Sequence, residues 1–181
     1  TYTFGNGPLP SQIVSRGKKL FTEAPRFILN GVPIVWNQAK IGKNYGDYTE
    51  IFSEGTFNGG TAFIKGELWF DGMYRFDLSL KPIAPLKIDA LRLQWSTPRE
   101  QARYALTPEF TPWDRDELLL KWDPREYNSL FWLTGHESGL AWWCKSDANW
   151  IINPNRNNIT AKRKPDVVEV CIDLFALSGH L

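Results

Sequence analysis

Residues 61–80 decide the fold class, and their sequence is TAFIKGELWFDGMYRFDLSL. From Tyr74 to Leu80 every second residue is apolar, and the residues between them are charged or polar. Alternation with a period of two is typical of a strand that packs one face on a core. Asp71-Gly72 separates this run from an earlier alternating run, and the dipeptide is typical of a type I′ turn. The stretch therefore predicts an antiparallel hairpin.

The same alternation predicts strands along most of the chain. Residues 167–174 repeat it, and residues 129–133 and 139–145 predict a second hairpin. Residues 112–121 are the exception, because Thr111 as the cap and Pro112 at the first helical position predict one short helix. About ten strands predict an all-β fold, a two-sheet antiparallel β-sandwich. Glycine and proline are spread without a linker-like cluster, so residues 1–181 are predicted to form a single domain.

Charge and hydropathy argue against two classes of partner. The 21 Lys and Arg residues nearly balance the 20 Asp and Glu residues, so we expect no overall attraction to nucleic acid or to anionic membranes. No apolar run approaches the ~20 residues of a membrane-spanning helix. The chain opens Thr1-Tyr2-Thr3, without a signal peptide, and its end follows a predicted strand directly. We therefore expect it to be a piece excised from a longer multidomain protein.

Histidine and cysteine predict no catalytic or metal site. His136 and His180 are the two histidines, and neither belongs to a cluster of metal ligands. Cys144 and Cys171 each lie in a predicted strand, where two buried thiols are favoured over a disulfide. No nucleophile motif or phosphate-binding glycine loop is present. We therefore expect no cofactor and no metal.

Three carboxylates lie close together in sequence, at Asp114, Asp116 and Glu117. Glycoside hydrolysis needs two carboxylates that flank a sugar, so a small enzyme that uses these residues is one hypothesis. Exposed acidic residues are common, however, and spacing alone does not place any pair across a substrate. We favour a solvated acidic cluster and expect no enzyme activity from this chain.

Residues 139–150, GLAWWCKSDANW, are the most informative segment. On a strand Trp142 and Trp143 face opposite ways, so one should enter the core and the other should meet solvent or a second surface. Asp147 falls where the strand leaves the sheet, and Trp150 begins the next run. A tryptophan-braced β-corner is the favoured interpretation. A sugar-stacking platform is the alternative, with all four of these residues as its candidate carbohydrate-binding residues.

This segment also resembles a known family. Residues 131–142, FWLTGHESGLAW, followed by Ser-Asp at 146–147 and by Trp150, are similar to the "WLG…E.GL.W..ESD..W" signature. That signature is typical of the glycoside hydrolase family 123-like N-terminal domain (the DUF6067 group). Residues 4–10 and 70–73 match more loosely, so the resemblance spans most of the chain.

The resemblance implies an ancillary role. In the family this domain is a β-sandwich that precedes a TIM-type barrel, and the barrel hydrolyses acetamido sugars. For this chain the resemblance implies a non-catalytic domain that packs against a downstream barrel of the same polypeptide. It also implies a secreted or periplasmic bacterial protein that degrades glycans. Lys145 stands where the family has an acidic residue, which argues against a shared ligand. The alternative is an autonomous carbohydrate-binding module that uses exposed tryptophans.

Overall fold

The structure is a computed structural model, and it describes residues 1–106, 113, 116–120, 130–144, 155, 157–175 and 179–180. These residues contain nineteen strands, a short 3-10 helix at Arg99–Gln101 and no α-helix. The strands are β1 (Tyr2–Phe4), β2 (Pro10–Ser15), β3 (Lys18–Lys19), β4 (Glu23–Leu29), β5 (Val32–Pro33), β6 (Val35–Trp36), β7 (Lys40–Asn44), β8 (Tyr48–Phe57), β9 (Gly60–Trp69), β10 (Tyr74–Pro82), β11 (Lys87–Ile88), β12 (Leu91–Pro98), β13 (Tyr104–Leu106), β14 (Glu117–Leu120), β15 (Leu130–Thr134), β16 (Gly139–Trp143), β17 (Ile159–Arg163), β18 (Val167–Phe175) and β19 (Gly179–His180).

Two large antiparallel sheets form the body of the fold. One has the order β10-β9-β8-β6, with β7 also paired to β8, and the other has the order β14-β17-β18-β12-β4-β5. Their facing side chains join one buried apolar cluster. Phe27 of β4 is fully buried and meets Phe76 of β10 with ring centroids 5.8 Å apart. This arrangement confirms the predicted all-β, sandwich-like fold.

The strands outnumber the ten predicted because turns interrupt several apolar runs. Residues 86–95 illustrate this, since they divide into β11 and β12. The side-chain oxygen of Asn30 accepts the backbone N–H groups of Asp89 (2.8 Å) and Ala90 (3.1 Å). These two N–H groups therefore donate to the Asn30 side chain, and not to a neighbouring strand, at the point where β11 ends and before β12 begins.

The hairpin at residues 61–80 is confirmed, but its turn differs from the predicted one. Within the loop at 70–73 only Gly72 has a positive φ, +92°, whereas a type I′ turn needs two such residues. The N–H of Gly72 donates to the carbonyl of Trp69 (3.0 Å). The Asp71 carboxylate accepts the N–H of Met73 (2.9 Å). The aspartate therefore holds the loop by a side-chain hydrogen bond and not by a left-handed conformation.

The predicted helix at residues 112–121 is wrong over its second half. Residues 117–120 form β14, at the edge of the six-stranded sheet, where Leu118 lies opposite Ala161 of β17. Leu118 is buried and the next residue, Leu119, is exposed, which is the period of a strand. The capping signals are local, and cross-strand pairing with β17 outweighs them. The first half of the predicted helix, apart from residues 113 and 116, lies outside the described residues.

A tyrosine clamp connects the first residues to the five-stranded sheet. The hydroxyl of Tyr74 donates to the carbonyl of Pro8, and Pro8 is fully buried. The ring of Tyr74 lies against Gly66, where an added Cβ would approach its Cζ to 2.6 Å. Burial raises the pKa of the Tyr74 hydroxyl well above its ordinary value of 10.0. The clamp therefore depends on a protonated tyrosine.

Alkaline pH is expected to weaken the fold through Tyr74. The folded chain keeps this proton at a pH where the unfolded chain loses it, so the contribution is complete below about pH 10 and falls as pH rises further. One such group accounts for at most about 1.4 kcal/mol per pH unit. Urea denaturation at pH 8 and pH 11 should show a smaller alkaline loss of stability in Tyr74→Phe than in wild type. Tyr45→Phe, at an exposed ring, is the control, and equal losses in all three proteins would contradict the prediction.

Candidate functional site

A third antiparallel sheet, of order β13-β15-β16, carries the tryptophan pair. In its register Phe131 lies opposite Trp142 and Leu130 lies opposite Trp143. Directly opposed residues share a face of an antiparallel sheet. Phe131 and Trp142 therefore lie on one face, while Trp143 lies on the other face together with Trp132.

The inner face of this sheet packs on the sandwich. Phe131 is 1% exposed, and its ring stacks on that of Trp95 in β12 with an interplanar angle of 10°. Trp142 is partly buried against the core, and its ring centroid lies 6.2 Å from that of Phe76. The prediction that one tryptophan of the pair enters the core is confirmed, and the core residue is Trp142.

The outer face presents exposed rings, and we call Tyr104, Leu106, Trp132 and Trp143 the aromatic face. Trp143 is 58% exposed, Tyr104 52% and Trp132 43%. Leu106 lies opposite Trp132 in the sheet. Large aromatic side chains normally bury most of their surface, and contiguous exposed apolar groups mark interaction sites. The aromatic face is therefore the candidate functional site.

Polar groups border the aromatic face at the Tyr104 end. The ring of Tyr104 meets the imidazole of His136 edge-on, with centroids 5.5 Å apart. The Nε2 atom of His136 lies 3.4 Å from Nη1 of Arg103. A guanidinium can only donate, so the imidazole nitrogen is the acceptor in any hydrogen bond between these two atoms. Both side chains are exposed, so they can reach a ligand that lies on the rings.

The hairpin loop that carries His136 is held against the 3-10 helix. The N–H of Gly135 donates to the carbonyl of Ser138 (2.8 Å), and the Ser138 hydroxyl donates to the side-chain oxygen of Gln101. A Cβ on Gly135 would collide with the carbonyl of Glu100, so glycine permits this close approach. The loop is thereby fixed beside residues 99–103.

A cluster of arginines lies next to this loop, and the sequence gives no sign of it. Arg99, Glu100, Arg103 and Arg163 line an open cavity of about 470 Å³, which we call the arginine pocket. Arg99, Glu100 and Arg103 lie within five residues of one another, whereas Arg163 is 60 residues further along the chain. The pairing of β17 with β18 and the position of the 3-10 helix bring them together. Sequence periodicity carries no signal for such a cluster.

The structure describes some of the other predicted site residues and not others. Asp147 and Trp150 lie outside the described residues, as does Asp114. The Glu117 carboxylate forms an ion pair with the Lys162 ammonium across β14 and β17 (2.7 Å). The carbonyl of Asp116 accepts the backbone N–H of Arg163 (2.6 Å). The Glu117 side chain and the Asp116 backbone therefore contribute to strand pairing at the sheet edge.

Three further observations concern membranes, metals and cysteine. No helix in the described part of the chain is long and apolar enough to cross a membrane. The described residues contain no group of three or more His, Cys, Asp or Glu side chains placed to hold a metal ion. Cys144 and Cys171 are both thiols, and the Gln94 amide donates to the Cys171 sulfur (3.4 Å).

The comparisons with known proteins leave the family as a prediction. The assignment to the glycoside hydrolase family 123-like N-terminal domain rests on the resemblance in residues 131–150, with looser matches at residues 4–10 and 70–73. Searches of protein-family models, of curated proteins and of solved structures found no significant match to this chain.

Proposed function

We propose that this chain is a non-catalytic domain that binds glycan through its aromatic face. The observation that carries the proposal is the exposure of Tyr104, Trp132 and Trp143 on one side of a sheet. A sugar ring has an apolar face of C–H groups that stacks on an aromatic ring, while its hydroxyls need hydrogen-bond partners. The rings would supply the stacking surface, and His136 and Arg103 at the border would supply the polar partners.

The sheet geometry suits a short saccharide. Trp132 lies opposite Ala141, and Trp143 is two residues further along β16. The two indoles are therefore diagonal neighbours, whose Cα atoms lie about 7–8 Å apart in an antiparallel pair. Both indoles lie on the same face of the sheet. Ala141, which lies beside them on that face, is small and does not separate the two rings. One oligosaccharide could contact both indoles.

Trp143→Ala is expected to weaken glycan binding by about 10- to 30-fold in Kd, because central aromatic anchors of an interface contribute about 1.4–2 kcal/mol or more. Isothermal titration calorimetry and tryptophan fluorescence quenching would measure the affinity. The probes are neutral and acetamido-sugar oligosaccharides, including ones that contain N-acetylgalactosamine. Phe70→Ala is the matched control, since Phe70 is 83% exposed in the loop of the other hairpin. The proposal fails if no oligosaccharide binds, or if both variants lose affinity equally.

A second candidate function is protein docking, in which the aromatic face packs against a downstream catalytic domain of the same polypeptide. The observation that favours it is Leu106, an exposed aliphatic side chain on the face, together with the ancillary role that the resemblance implies. An immunoblot of the source organism would separate the two functions. A band of the mass of this chain would leave no downstream domain to dock on. A band larger by the ~250 residues of a barrel, with no glycan binding by the isolated domain, would favour docking.

A further inference from the structure

Three arginines from two parts of the chain, the segment 99–103 and the end of β17, meet in the arginine pocket. Arg99 begins the 3-10 helix, Arg103 precedes β13, and Arg163 ends β17. With Glu100 they line a cavity of about 470 Å³ that opens to solvent. Like charges repel, so an anion that enters a cavity lined by three guanidinium groups relieves their repulsion.

The Arg163 guanidinium is held by one ring contact and two backbone acceptors. Its guanidinium lies over the ring of Trp113, 3.9 Å from the centroid. Nη1 donates to the carbonyl of Trp113 (2.9 Å), and Nη2 donates to the carbonyl of Arg103 (2.6 Å). A planar guanidinium fixed by stacking and by backbone acceptors is preorganised. Little side-chain entropy would be lost when an anion approaches it.

The pKa of Arg163 reports the proximity of a second positive charge. Burial lowers this pKa below its ordinary value of 12.5, the charge of Arg99 lowers it further, and Asp116 raises it in part. The group stays protonated at neutral pH, because an arginine side chain in a protein is always charged. This direction agrees with the geometry, since Arg99 and Arg163 line the same cavity.

Arg99 contacts a backbone carbonyl, and Arg103 contacts an imidazole. Nη1 of Arg99 donates to the carbonyl of Lys164 (3.2 Å), and Nη1 of Arg103 contacts His136. Among the described residues no carboxylate lies within ion-pair distance of either guanidinium. The carboxylate of Glu100 accepts a hydrogen bond from the amide of Gln101 (3.2 Å). The described residues that line the arginine pocket therefore carry three positive charges and one negative charge.

We propose that the arginine pocket binds the oxyanion substituent of an acidic glycan. A sulfate ester and a carboxylate share the chemistry that guanidinium forks recognise, namely two or more acceptor oxygens that carry a negative charge. The contacts Tyr104–His136–Arg103 connect the aromatic face to the pocket. A saccharide stacked on the rings can therefore place an anionic group between the arginines. The glycan part of this inference rests on the proposed function, whereas binding of a free anion does not.

The first experiment uses inorganic sulfate and the whole chain. Sodium sulfate is titrated at constant ionic strength against sodium chloride, and NMR follows the arginine Nε–H signals. We expect saturable shifts that Arg103→Gln weakens about tenfold or more. This substitution leaves the Arg103 carbonyl that holds Arg163, and a thermal melt checks that the variant folds. Arg75→Gln, on the exposed side of β10, is the matched control and should change nothing. Linear shifts, or equal weakening by both substitutions, would overturn the inference.

The second experiment identifies the source of the anion. The probes are chondroitin sulfate, unsulfated chondroitin and a neutral chitin oligosaccharide, each titrated into wild type, Arg103→Gln and Trp143→Ala. A preference for the sulfated chain that Arg103→Gln removes supports the inference with a sulfate ester. Equal binding of both acidic chains, lost in Arg103→Gln, supports it with a carboxylate.

Two results separate this inference from the proposed function. Sulfate binding that depends on Arg103, with no binding of any oligosaccharide, would keep the anion site and remove the glycan function. In the other result, the neutral oligosaccharide binds through Trp143, sulfate causes no response, and neither acidic chain binds more tightly than the neutral one. That result would overturn anion binding in the arginine pocket and leave the proposed glycan function standing.

Discussion

Replacing Phe131 with alanine is expected to lower the free energy of unfolding by about 3–5 kcal/mol, the usual cost of deleting a buried aromatic ring. Phe131 is 1% exposed, and its ring stacks on that of Trp95 at a centroid distance of 6.5 Å. The deletion would leave a cavity between the third sheet and the sandwich. Urea denaturation followed by circular dichroism would measure the loss.

Trp132→Ala is the matched control, because Trp132 is the next residue on the same strand and faces outward. It is 43% exposed, so its loss should change stability by about 0.5 kcal/mol or less, as at ordinary surface positions. The contrast between adjacent residues tests the assignment of the two faces. Comparable losses from both substitutions would mean that the outer face is also covered by protein, and the aromatic face would then not be a ligand site.

The second large effect is expected from Gly66→Ala, at about 1–3 kcal/mol of lost stability. An added Cβ would overlap the ring of Tyr74, with 2.6 Å to Cζ and 2.8 Å to Cε2. The ring cannot move aside without breaking the hydrogen bond from its hydroxyl to the carbonyl of Pro8. The conflict is therefore resolved by displacing the sheet or the first residues of the chain. Chemical denaturation would measure the loss.

A double-mutant cycle separates this clash from a general effect of alanine in a strand. In a Tyr74→Ala background the added Cβ meets no ring, so Gly66→Ala should then cost less by about 0.5–3 kcal/mol, the range for residues in contact. Gly5→Ala is the control, since a Cβ there would meet Ser11 at 3.7 Å, an ordinary contact. Additive losses in the cycle would show that Tyr74 does not occupy the space above Gly66.

The alternation in residues 61–80 and 129–145 is sufficient to predict both hairpins and the division of Trp142 from Trp143. Faces follow from sequence because a strand has a period of two, whatever its partner. Pairing partners do not follow in this way. The sequence predicts a helix at residues 117–120 because capping signals are local. Strand β17, which pairs with these residues and makes them a strand, lies about 40 residues further along the chain.

The arginine pocket is unpredictable for a related reason. Arg99, Arg103 and Arg163 are not spaced as any motif, and charged residues are abundant throughout the chain. Their meeting depends on the register of β17 against β18 and on the small residue at Gly135 that admits the 3-10 helix. Of the aromatic face, the sequence predicts Trp143 alone as a site residue. The pairing of β13, β15 and β16 brings Tyr104 and Trp132 to the same face.

The position of β18 has a consequence for how the protein is made. Strand β18 lies between β12 and β17, and its Cys171 faces Gln94, 77 residues earlier in the chain. Contacts between such distant residues form slowly, because the intervening chain must first be closed into a loop. On the ribosome, β12 and β4 therefore emerge long before the strand that completes their sheet. Until residue 175 has left the exit tunnel, β12 presents an open edge that can pair with other nascent chains.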